Sequence, residues 1–410
     1  MSYLVLHNSK DQIKDANFIL SGSKSISQRV LIINYLSDID VLVENLSNSE
    51  DTIVLRNALY SDNNIINVKQ SGTALRFLLS LFTFENRNII VTGEDSLFQR
   101  PLKILIKSLE LLGGSIVKNN NQIIINDSHL VGASLNFQEM HTSQFISSLL
   151  LIAPYLKNGL KLIFPKNTYS LPYIKMTTSI MRDCGANLLW KDHHIEVFNQ
   201  KYSNYLKDIE SDWTSASYLF LAFIFSDLKR IEISKLYKNS LQADIVLVNF
   251  FSLFGVNTSF CLDHIILEKN NQLCMPTKIK WDFNHNPDLF PTIMVACLGF
   301  NISLLATGIA TLPYKESNRV LTIEKECLKF NCTFYSDEKD MITMVPNNSS
   351  MSQKKLISIE THNDHRIALA FSTLVLLGWK LKINNPSVIN KSYPDFWLDL
   401  VKFGVEIENF

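Results

Sequence analysis

The sequence predicts an α/β protein of two domains, built from six copies of a β-α-β-α-β-β unit. Six small polar clusters each precede a strongly apolar helix, followed by a strand-like run, a second helix and an alternating hairpin pattern. The clusters recur too far apart for a solenoid, whose units span about 20–50 residues. The chain has 410 residues, of which 46% are hydrophobic, and this is enough to fill more than one core.

The six polar clusters mark where the apolar helices begin. They start at Ser23, Ser71, Thr142, Asp212, Asn286 and Asn363, at intervals of 48, 71, 70, 74 and 77 residues. Short hydroxyl, amide and carboxyl side chains of this kind cap helix N-termini. The first interval is short because only SDNNIINVKQ separates Tyr60 from Ser71, which leaves no room for a hairpin. The first repeat is therefore predicted to be shortened.

Each unit should contain one interior helix and one surface helix. The first helices, such as FLLSLF and LFLAFIF, are apolar on nearly all sides and should be buried. The second, amphipathic helices should start near Glu50, Arg100, Leu171, Leu241, Lys315 and Tyr393. Proline is favoured in the first turn of a helix, and it occurs there at Pro101, Pro172 and Pro394. Glycine is favoured at the end of a helix, and it occurs there at Gly113, Gly185, Gly255 and Gly404.

One segment has the composition of a membrane span but not its continuity. Residues 289–314 carry no charge, yet Pro291, Gly299, Gly308 and Pro313 interrupt them. A spanning helix needs about 20 continuous apolar residues. The segment instead predicts a buried helix near 290–300 and a buried strand near 301–309.

Charge and cysteine usage narrow the class of protein. Basic and acidic residues both total 39, so no overall positive field favours nucleic acid. The six cysteines form no CxxC pair, which excludes a disulfide framework or a zinc finger and favours a reducing cytoplasm. The N-terminal MSYLVLHNSK does not have the pattern of a signal peptide. We expect a cytoplasmic monomer with no metal, cofactor, nucleic-acid or membrane partner.

Residues 21–29, SGSKSISQR, have the composition of an anion-binding helix start. Free N–H groups and the helix dipole favour negative charge at such a start. Lys24 adds a mobile charge, and Arg29 adds a rigid fork suited to phosphate or carboxylate. An ordinary serine-rich cap with solvated charges explains this stretch alone equally well.

Basic residues recur beside the other polar clusters. They are Arg76, Arg100, Lys315, Arg319, His365, Arg366 and Lys391. A lone surface lysine is more often a solvated charge than a ligand contact. Their concentration at helix starts rich in Gly, Ser and Thr points to a small polyanionic substrate.

These motifs together resemble the 5-enolpyruvylshikimate-3-phosphate (EPSP) synthase family over nearly the whole chain. The matching stretches are LSGSKSISQR, QSGTALR, TGE followed by RP, TSQ, SLPY, NHNPD, PYKESNR, NDHR and KSYPD, in that order. The family pattern differs at Ser21, Gln28, Gln70, Thr142, Thr311, Pro313 and Asn318. Of these, Thr311 puts one sugar-ring contact in doubt, and Gln70 affects the carboxylate end of the phosphoenolpyruvate pocket.

The resemblance implies the two-domain enolpyruvyl transferase fold, with three repeats in each domain. One domain would span 21–210 and hold shikimate 3-phosphate, and the other would join 1–20 to 211–410, with the active site in the cleft between them. The implied reaction transfers the enolpyruvyl group of phosphoenolpyruvate to the 5-hydroxyl of shikimate 3-phosphate and releases phosphate. It belongs to the shikimate pathway, and glyphosate inhibits the family at the phosphoenolpyruvate site.

The resemblance also implies residue roles. Asp288 would be the base for the 5-hydroxyl, Glu316 the proton donor to carbon, and Lys24 a third catalytic group. Shikimate 3-phosphate would contact Lys24, Ser25, Arg29, Thr142, Ser143, Gln144, Ser170, Tyr173, Asp288, Thr311 and Lys315. Phosphoenolpyruvate would contact Lys24, Gly72, Arg100, Gln144, Arg319, Arg366 and Lys391.

Three other readings compete with this one. The related UDP-N-acetylglucosamine enolpyruvyl transferase uses a loop cysteine, whereas Cys184 is the only cysteine in 21–210 and is predicted at a helix end. A phosphate-loop kinase needs GKS rather than GSKS. A relative that binds anions without catalysis is the non-enzyme alternative, which intact Lys24, Asp288, Glu316 and Lys391 disfavour.

Overall fold

The computed structural model describes residues 2–9, 15–37, 41–138, 142–166, 168–270, 275–338, 340–347 and 355–409. The chain divides into two compact units. The continuous unit is Gly22–Ile209, and the discontinuous unit joins Met1–Ser21 to Glu210–Phe410.

The strands are short, as expected for small sheets packed against helices. They are β1 (Tyr3–Asn8), β2 (Asp15–Phe18), β3 (Ile65–Asn67), β4 (Ile89–Thr92), β5 (Ile116–Lys118), β6 (Gln122–Ile125), β7 (Ser134–Asn136), β8 (Leu160–Ile163), β9 (Leu188–Lys191), β10 (His194–Val197), β11 (Arg230–Ser234), β12 (Val256–Phe260), β13 (His264–Lys269), β14 (Lys278–Asp282), β15 (Ser303–Thr307), β16 (Cys332–Glu338), β17 (Met341–Pro346), β18 (Leu356–Ile359), β19 (Lys380–Asn384) and β20 (Val405–Asn409).

The helices alternate between fully apolar and amphipathic sequences. They are α1 (Lys24–Ser37), α2 (Glu50–Leu59), α3 (Gly72–Phe84), α4 (Asp95–Phe98), α5 (Lys103–Leu111), α6 (Ser143–Ile152), α7 (Leu171–Asp183), α8 (Trp213–Phe225), α9 (Leu247–Ser252), α10 (Phe290–Gly299), α11 (Arg319–Leu328), α12 (His365–Ser372) and α13 (Phe396–Val401). Short 3-10 helices cover Pro287–Leu289, Leu312–Tyr314 and Pro386–Lys391, among others.

The described strands form four-stranded mixed sheets that share one topology. The continuous unit contains the orders β3-β4-β6-β5 and β7-β8-β10-β9, and the discontinuous unit contains β12-β13-β11-β2, β14-β15-β17-β16 and β18-β19-β1-β20. In each sheet a parallel pair, such as β3 with β4, is extended by two antiparallel strands, such as β6 and β5. A parallel pair needs a crossover connection, which the apolar helix supplies. The repeated β-α-β-α-β-β unit is thereby confirmed.

The first repeat is shortened where its length predicts, because between α2 and α3 the described residues form only β3, which pairs with β4, and no hairpin. The strand that the repeat pattern predicts between α1 and α2 is not formed, since the described residues there contribute only a single parallel bridge from Glu44 to Asp208.

The sheet of the sixth repeat is completed by a strand from the other end of the chain. β1 pairs antiparallel with β19 on one side and with β20 on the other. The N-terminal strand therefore takes the place of a hairpin strand that the sixth repeat lacks. Local sequence patterns did not reveal this pairing, because it joins residues nearly 400 positions apart.

Most of the apolar helices begin where the polar clusters predict. The side chains of Ser71, Thr142, Asp212 and Asp364 accept hydrogen bonds from backbone N–H groups at the starts of α3, α6, α8 and α12. The predicted start near Lys315 is four residues early. A 3-10 helix and an extended Lys315 precede α11, and Asn318 caps it by accepting from the Leu321 N–H.

The uncharged segment 289–314 is interior. Its residues form α10 and β15, whose apolar side chains are buried in the core of the discontinuous unit. Among the described residues, no helix is both long enough and apolar enough to cross a membrane.

Candidate active site

In the continuous unit, α1 begins with a buried ion pair. The Ser23 hydroxyl accepts from the Ile26 N–H at 3.4 Å, which starts the helix at Lys24. Lys24 Nζ lies 3.1 Å from Asp51 Oδ2 in the first turn of α2, and both side chains are largely buried. Asp51 thus fixes the direction of the lysine that the sequence singled out.

Arg29 lies one turn further along α1 and is buried among neutral acceptors. Its Nε donates to Thr177 Oγ1 at 2.7 Å, its Nη1 to the Ser25 carbonyl at 2.7 Å and its Nη2 to Ser147 Oγ at 3.1 Å. Burial lowers the pKa of Arg29 to about 10. No carboxylate of the described residues forms an ion pair with it. A buried cation without a carboxylate favours an anion from outside the protein.

A second cluster joins the starts of α3 and α6. Arg76 Nη1 donates to the Gly72 carbonyl at 2.9 Å and to Gln144 Oε1 at 2.8 Å. Gln144 Nε2 donates in turn to Thr73 Oγ1 at 3.0 Å. A Cβ built on Gly72 would lie 2.7 Å from the Nη1 atoms of both Arg76 and Arg100. Glycine therefore allows two guanidinium groups to approach the backbone, and a Cβ here would make these two flexible side chains shift.

The remaining predicted residues of this unit stand at helix starts. Thr142 caps α6 by accepting from the Gln144 N–H at 3.2 Å, and Ser143 is buried behind it. Ser170 precedes α7 with a positive φ of 55°, and the Tyr173 carbonyl accepts from Arg29 Nη2 at 3.4 Å. The structure thus links Arg29, Ser25 and Tyr173 directly. It links Gly72 and Gln144 through Arg76, and Arg100 lies beside Gly72.

In the discontinuous unit, Asp288 is surrounded by cations. Its Oδ1 lies 3.0 Å from Arg319 Nη1 and 3.6 Å from Lys315 Nζ, and its Oδ2 lies 2.9 Å from Arg366 Nη2. Burial alone would raise the pKa of Asp288, but the charges of Arg366, Lys315 and Arg319 hold it well below its usual range. Asp288 is therefore a carboxylate in this state.

Arg319 connects three acidic groups. It starts α11, is fully buried, and donates to Asp288, to Glu316 Oε2 at 2.7 Å and to Asp364 Oδ2 at 3.0 Å. Asp364 also caps α12 by accepting from the Arg366 N–H at 3.1 Å. These contacts bring together five residues that span 78 positions of the sequence, from 288 to 366. The two predicted carboxyl groups, Asp288 and Glu316, share the same guanidinium.

Thr311 and Lys391 stand at the ends of short 3-10 helices. Thr311 precedes Leu312–Tyr314, and Lys391 is the last residue of Pro386–Lys391. Both are buried. Pro313, which departs from the family pattern, fits the first turn of its 3-10 helix.

Sequence reasoning missed several buried groups beside these residues. Asp51 stands in a stretch read only as a helix start, and Asp364 lies in the NDHR motif without a role assigned to it. Asp244 accepts from Asn286 Nδ2 at 3.2 Å and also from the Thr214 hydroxyl. Burial and the charge of Asp288 raise the pKa of Asp244 to about 6. Burial raises the pKa of Tyr218, which accepts from Arg366 Nη1 at 3.3 Å, to about 12.

The chemistry of these groups is acid–base and electrostatic. Buried guanidinium and ammonium groups can stabilise phosphate and carboxylate charge, and Asp288 and Glu316 can exchange protons. The described residues contain no cluster of His, Cys, Asp and Glu that could hold a metal ion. Cys184 is buried, and burial raises the pKa of its thiol to about 11, so it is unsuited to nucleophilic attack.

Known proteins that are similar in sequence to this chain are 3-phosphoshikimate 1-carboxyvinyltransferases. The family model described as "EPSP synthase (3-phosphoshikimate 1-carboxyvinyltransferase)" matches residues 54–400. A 3-phosphoshikimate 1-carboxyvinyltransferase of Bacteroides fragilis is 34% identical over 100% of this chain and 99% of its own length. The enzyme of the same name from Buchnera aphidicola subsp. Schizaphis graminum is 29% identical over 94% of this chain and 95% of its own.

Solved structures show the same fold at lower identity. EPSP synthase from Acinetobacter baumannii superposes with a TM-score of 0.75 at 17% identity, covering 100% of both chains. The enolpyruvyl transferase NikO from Streptomyces tendae superposes with a TM-score of 0.75 at 12% identity, covering 100% of this chain and 99% of its own.

Proposed function

The chain belongs to the EPSP synthase family, and from that premise we propose how its residues divide the work of the reaction. The enzyme transfers the enolpyruvyl group of phosphoenolpyruvate to the 5-hydroxyl of shikimate 3-phosphate, giving 5-enolpyruvylshikimate 3-phosphate and phosphate. Both substrates are small polyanions, so binding requires concentrated positive charge. The proton transfers require carboxyl groups held among those charges.

We propose that the continuous unit holds shikimate 3-phosphate. Buried Arg29, which has no carboxylate partner among the described residues, supports this assignment because a substrate anion would neutralise it. Lys24, turned by Asp51 at 3.1 Å, supplies a second charge. The further contacts proposed in the two units are Ser25, Thr142, Ser143, Gln144, Ser170, Tyr173, Asp288, Thr311 and Lys315.

We propose that phosphoenolpyruvate binds the guanidinium groups beside Gly72 and beside Asp288. Arg100 Nη1 lies 2.7 Å from the position that a Cβ of Gly72 would occupy. Arg319 and Arg366 both lie within 3.0 Å of Asp288. Lys24, Gln144 and Lys391 complete this set. An incoming phosphate or carboxylate would compete with Asp288 for the two guanidiniums.

The proton transfers fall to the two carboxyl groups. In the addition step, the 5-oxygen bonds to C2 of phosphoenolpyruvate, Asp288 accepts the hydroxyl proton, and Glu316 gives a proton to the methylene carbon. In the elimination step, the bond from C2 to the phosphate oxygen breaks, the methyl carbon returns a proton to Glu316, and the departing phosphate takes the proton held by Asp288, so both carboxyl groups are regenerated. A carboxyl beside Lys315 and Arg319 ordinarily ionises, so Glu316 requires its partial burial to carry that proton.

The observation that carries this proposal is the shared Arg319, which holds Asp288 at 3.0 Å and Glu316 at 2.7 Å. We expect Asp288→Asn and Glu316→Gln each to lower turnover by about 10²–10⁴-fold, the usual contribution of a positioned acid or base. Phosphate release with both substrates measures turnover, and calorimetry measures the binding of shikimate 3-phosphate, which should persist. Near-normal turnover of either variant would exclude that residue from proton transfer.

We further propose a cytoplasmic monomer. Cys184, Cys261, Cys297, Cys327 and Cys332 are unpaired thiols, as in proteins of reducing compartments, while Cys274 lies outside the described residues. Sedimentation equilibrium at several concentrations tests the oligomeric state.

A further inference from the structure

The far end of α11 carries a second carboxylate contact that the reaction does not use. Glu326 is 1% exposed, and its carboxylate accepts three hydrogen bonds. The donors are Lys329 Nζ at 2.6 Å, His362 Nε2 at 3.0 Å and the Glu360 N–H at 3.2 Å. Two of these donors belong to the loop that leads from β18 into α12.

That loop has an uncommon backbone. His362 and Asn363 are consecutive residues with positive φ, 51° and 56°. Residues other than glycine rarely adopt a positive φ. Two such residues in succession need contacts from outside the loop to hold their backbone in this conformation. Asn385 Nδ2 donates to Asn363 Oδ1 at 2.9 Å and provides one restraint. The His362–Glu326 contact provides another.

The two ends of α11 therefore hold the same loop. At the first residue of the helix, Arg319 donates to Asp364 at 3.0 Å, and near its last residue Glu326 accepts from His362 at 3.0 Å. The loop runs directly into Asp364 and Arg366. A shift of the loop would move the guanidinium of Arg366 relative to that of Arg319.

We propose that His362 is a positioning residue for the phosphoenolpyruvate site, acting through its hydrogen bond to Glu326. The inference rests on the proposed assignment of Arg319 and Arg366 to phosphoenolpyruvate. Glu326 accepts only, when ionised, so Nε2 of His362 carries the proton of this bond. Lys329 and the Glu360 N–H share the Glu326 carboxylate, and the Glu360 side chain is engaged by Asn384.

The test compares two variants that lack the donor with one that retains it. His362→Ala removes the ring, His362→Phe keeps its bulk without a donor, and His362→Gln places an amide N–H near the position of Nε2. We expect His362→Ala and His362→Phe to raise the KM for phosphoenolpyruvate by about tenfold, since small misplacements of binding groups have large effects. The KM for shikimate 3-phosphate should stay within about twofold, and His362→Gln should have a KM for phosphoenolpyruvate close to that of the parent.

His264→Ala is the matched control. His264 also pairs with a carboxylate, Asp263 at 2.7 Å, on an exposed hairpin of the same unit, and its loss should change neither KM. Arg366→Ala separates this inference from the proposed function. If Arg366→Ala raises the KM for phosphoenolpyruvate and folded His362→Ala or His362→Phe does not, His362 has no positioning role. If Arg366→Ala leaves that KM unchanged, the substrate assignment fails and the inference fails with it. Equal changes in both KM values, without rescue by Gln, would also overturn it.

Discussion

Asp288, the proposed base, has a pKa too low for efficient base catalysis. Arg366, Lys315 and Arg319 keep its pKa well below its usual range, and a base is most effective when its pKa is near the working pH. The proposed phosphoenolpyruvate site uses two of these three cations. Substrate binding would therefore withdraw positive charge from Asp288 and strengthen it as a base at the moment it is needed.

The titration of Asp288 should therefore depend on whether phosphoenolpyruvate is bound. Adding phosphoenolpyruvate should raise the pKa of Asp288, because removing a neighbouring cation favours the protonated carboxyl. Carbon-13 NMR of labelled aspartates can follow it, with Asp288→Asn identifying the resonance. Asp263, on its exposed hairpin, should not respond. An Asp288 titration that is the same with and without phosphoenolpyruvate would contradict the proposed competition.

Asp244 should make the folded protein less stable as the pH rises. Its folded pKa of about 6 exceeds that of an unfolded aspartate, about 3.9, so the folded protein binds the proton more tightly between these values. Stability should therefore fall as pH rises through this window, by about 3 kcal/mol from this group. Asp244→Asn should remove the loss.

The measurement is urea unfolding of both proteins at about pH 4 and about pH 8. Asp244→Asn should be more stable than the parent at the higher pH and nearly equal to it at the lower pH. A constant difference across the range would mean that the charge of Asp244 is not its cause. The buried carboxylate of Asp244, near Asp288, would then lower the stability of the folded protein at a functional site.

At the scale of the element, the proposed role of the start of α3 is to limit the size of the ligand. A methyl group on Gly72 would lie 2.7 Å from the Nη1 atoms of Arg76 and Arg100, so both guanidiniums must move. We expect Gly72→Ala to raise the KM for phosphoenolpyruvate and to raise the inhibition constant of glyphosate more. Glyphosate is the longer ligand, and a clash discriminates against it more strongly.

Steady-state inhibition at varied phosphoenolpyruvate measures both constants. Ser71→Ala is the control, because it removes the cap hydrogen bond to the Ala74 N–H without adding bulk beside the guanidiniums. It should leave the ratio of the two constants unchanged. Equal changes in both constants for Gly72→Ala would favour a purely backbone role for the glycine, and a parent enzyme indifferent to glyphosate would contradict the pocket assignment.

The elements show which kind of information the sequence carries. Caps and apolar runs are local, and they located the starts of α1, α3, α6, α8 and α12. The start of α11 was predicted too early because Lys315 belongs to an extended link that only the Asp288 cluster explains. Asp51, Asp244 and Glu326 were missed since a buried carboxylate has no sequence pattern distinct from a solvated one. Their partners lie on other elements.

At the scale of the whole molecule, one unit is formed by a single continuous segment of the chain and the other by two separate segments. Residues 22–209 are continuous, whereas the discontinuous unit needs both β1 and β2, which belong to sheets formed with β19, β20 and β11. Removing residues 1–21 would therefore disrupt two sheets. The sequence repeats predicted the sheets but not this dependence on the N-terminus.

In the discontinuous unit, the residues before and after segment 22–209 lie close together, so the two units can be produced as separate proteins. In the discontinuous unit, Ser211 Oγ donates to the Leu20 carbonyl at 2.9 Å and the Asp212 N–H donates to the Ser21 carbonyl at 3.1 Å. The ends left by removing residues 22–209 are thus within reach of a short glycine linker. We expect that fusion and the isolated 22–209 segment each to unfold cooperatively on heating.

Neither piece should release phosphate from the two substrates, because the proposed carboxyl groups Asp288 and Glu316 are on one and Arg29 and Arg100 are on the other. The 22–209 segment should still bind shikimate 3-phosphate, more weakly than the parent, because Arg29 keeps its contacts with Ser147 and Thr177. Mixing the pieces at high concentration should recover part of the turnover, and Asp288→Asn in the fusion should abolish that recovery. Turnover by either piece alone would show that one unit contains the whole catalytic machinery and would reverse the division of roles proposed for this enzyme.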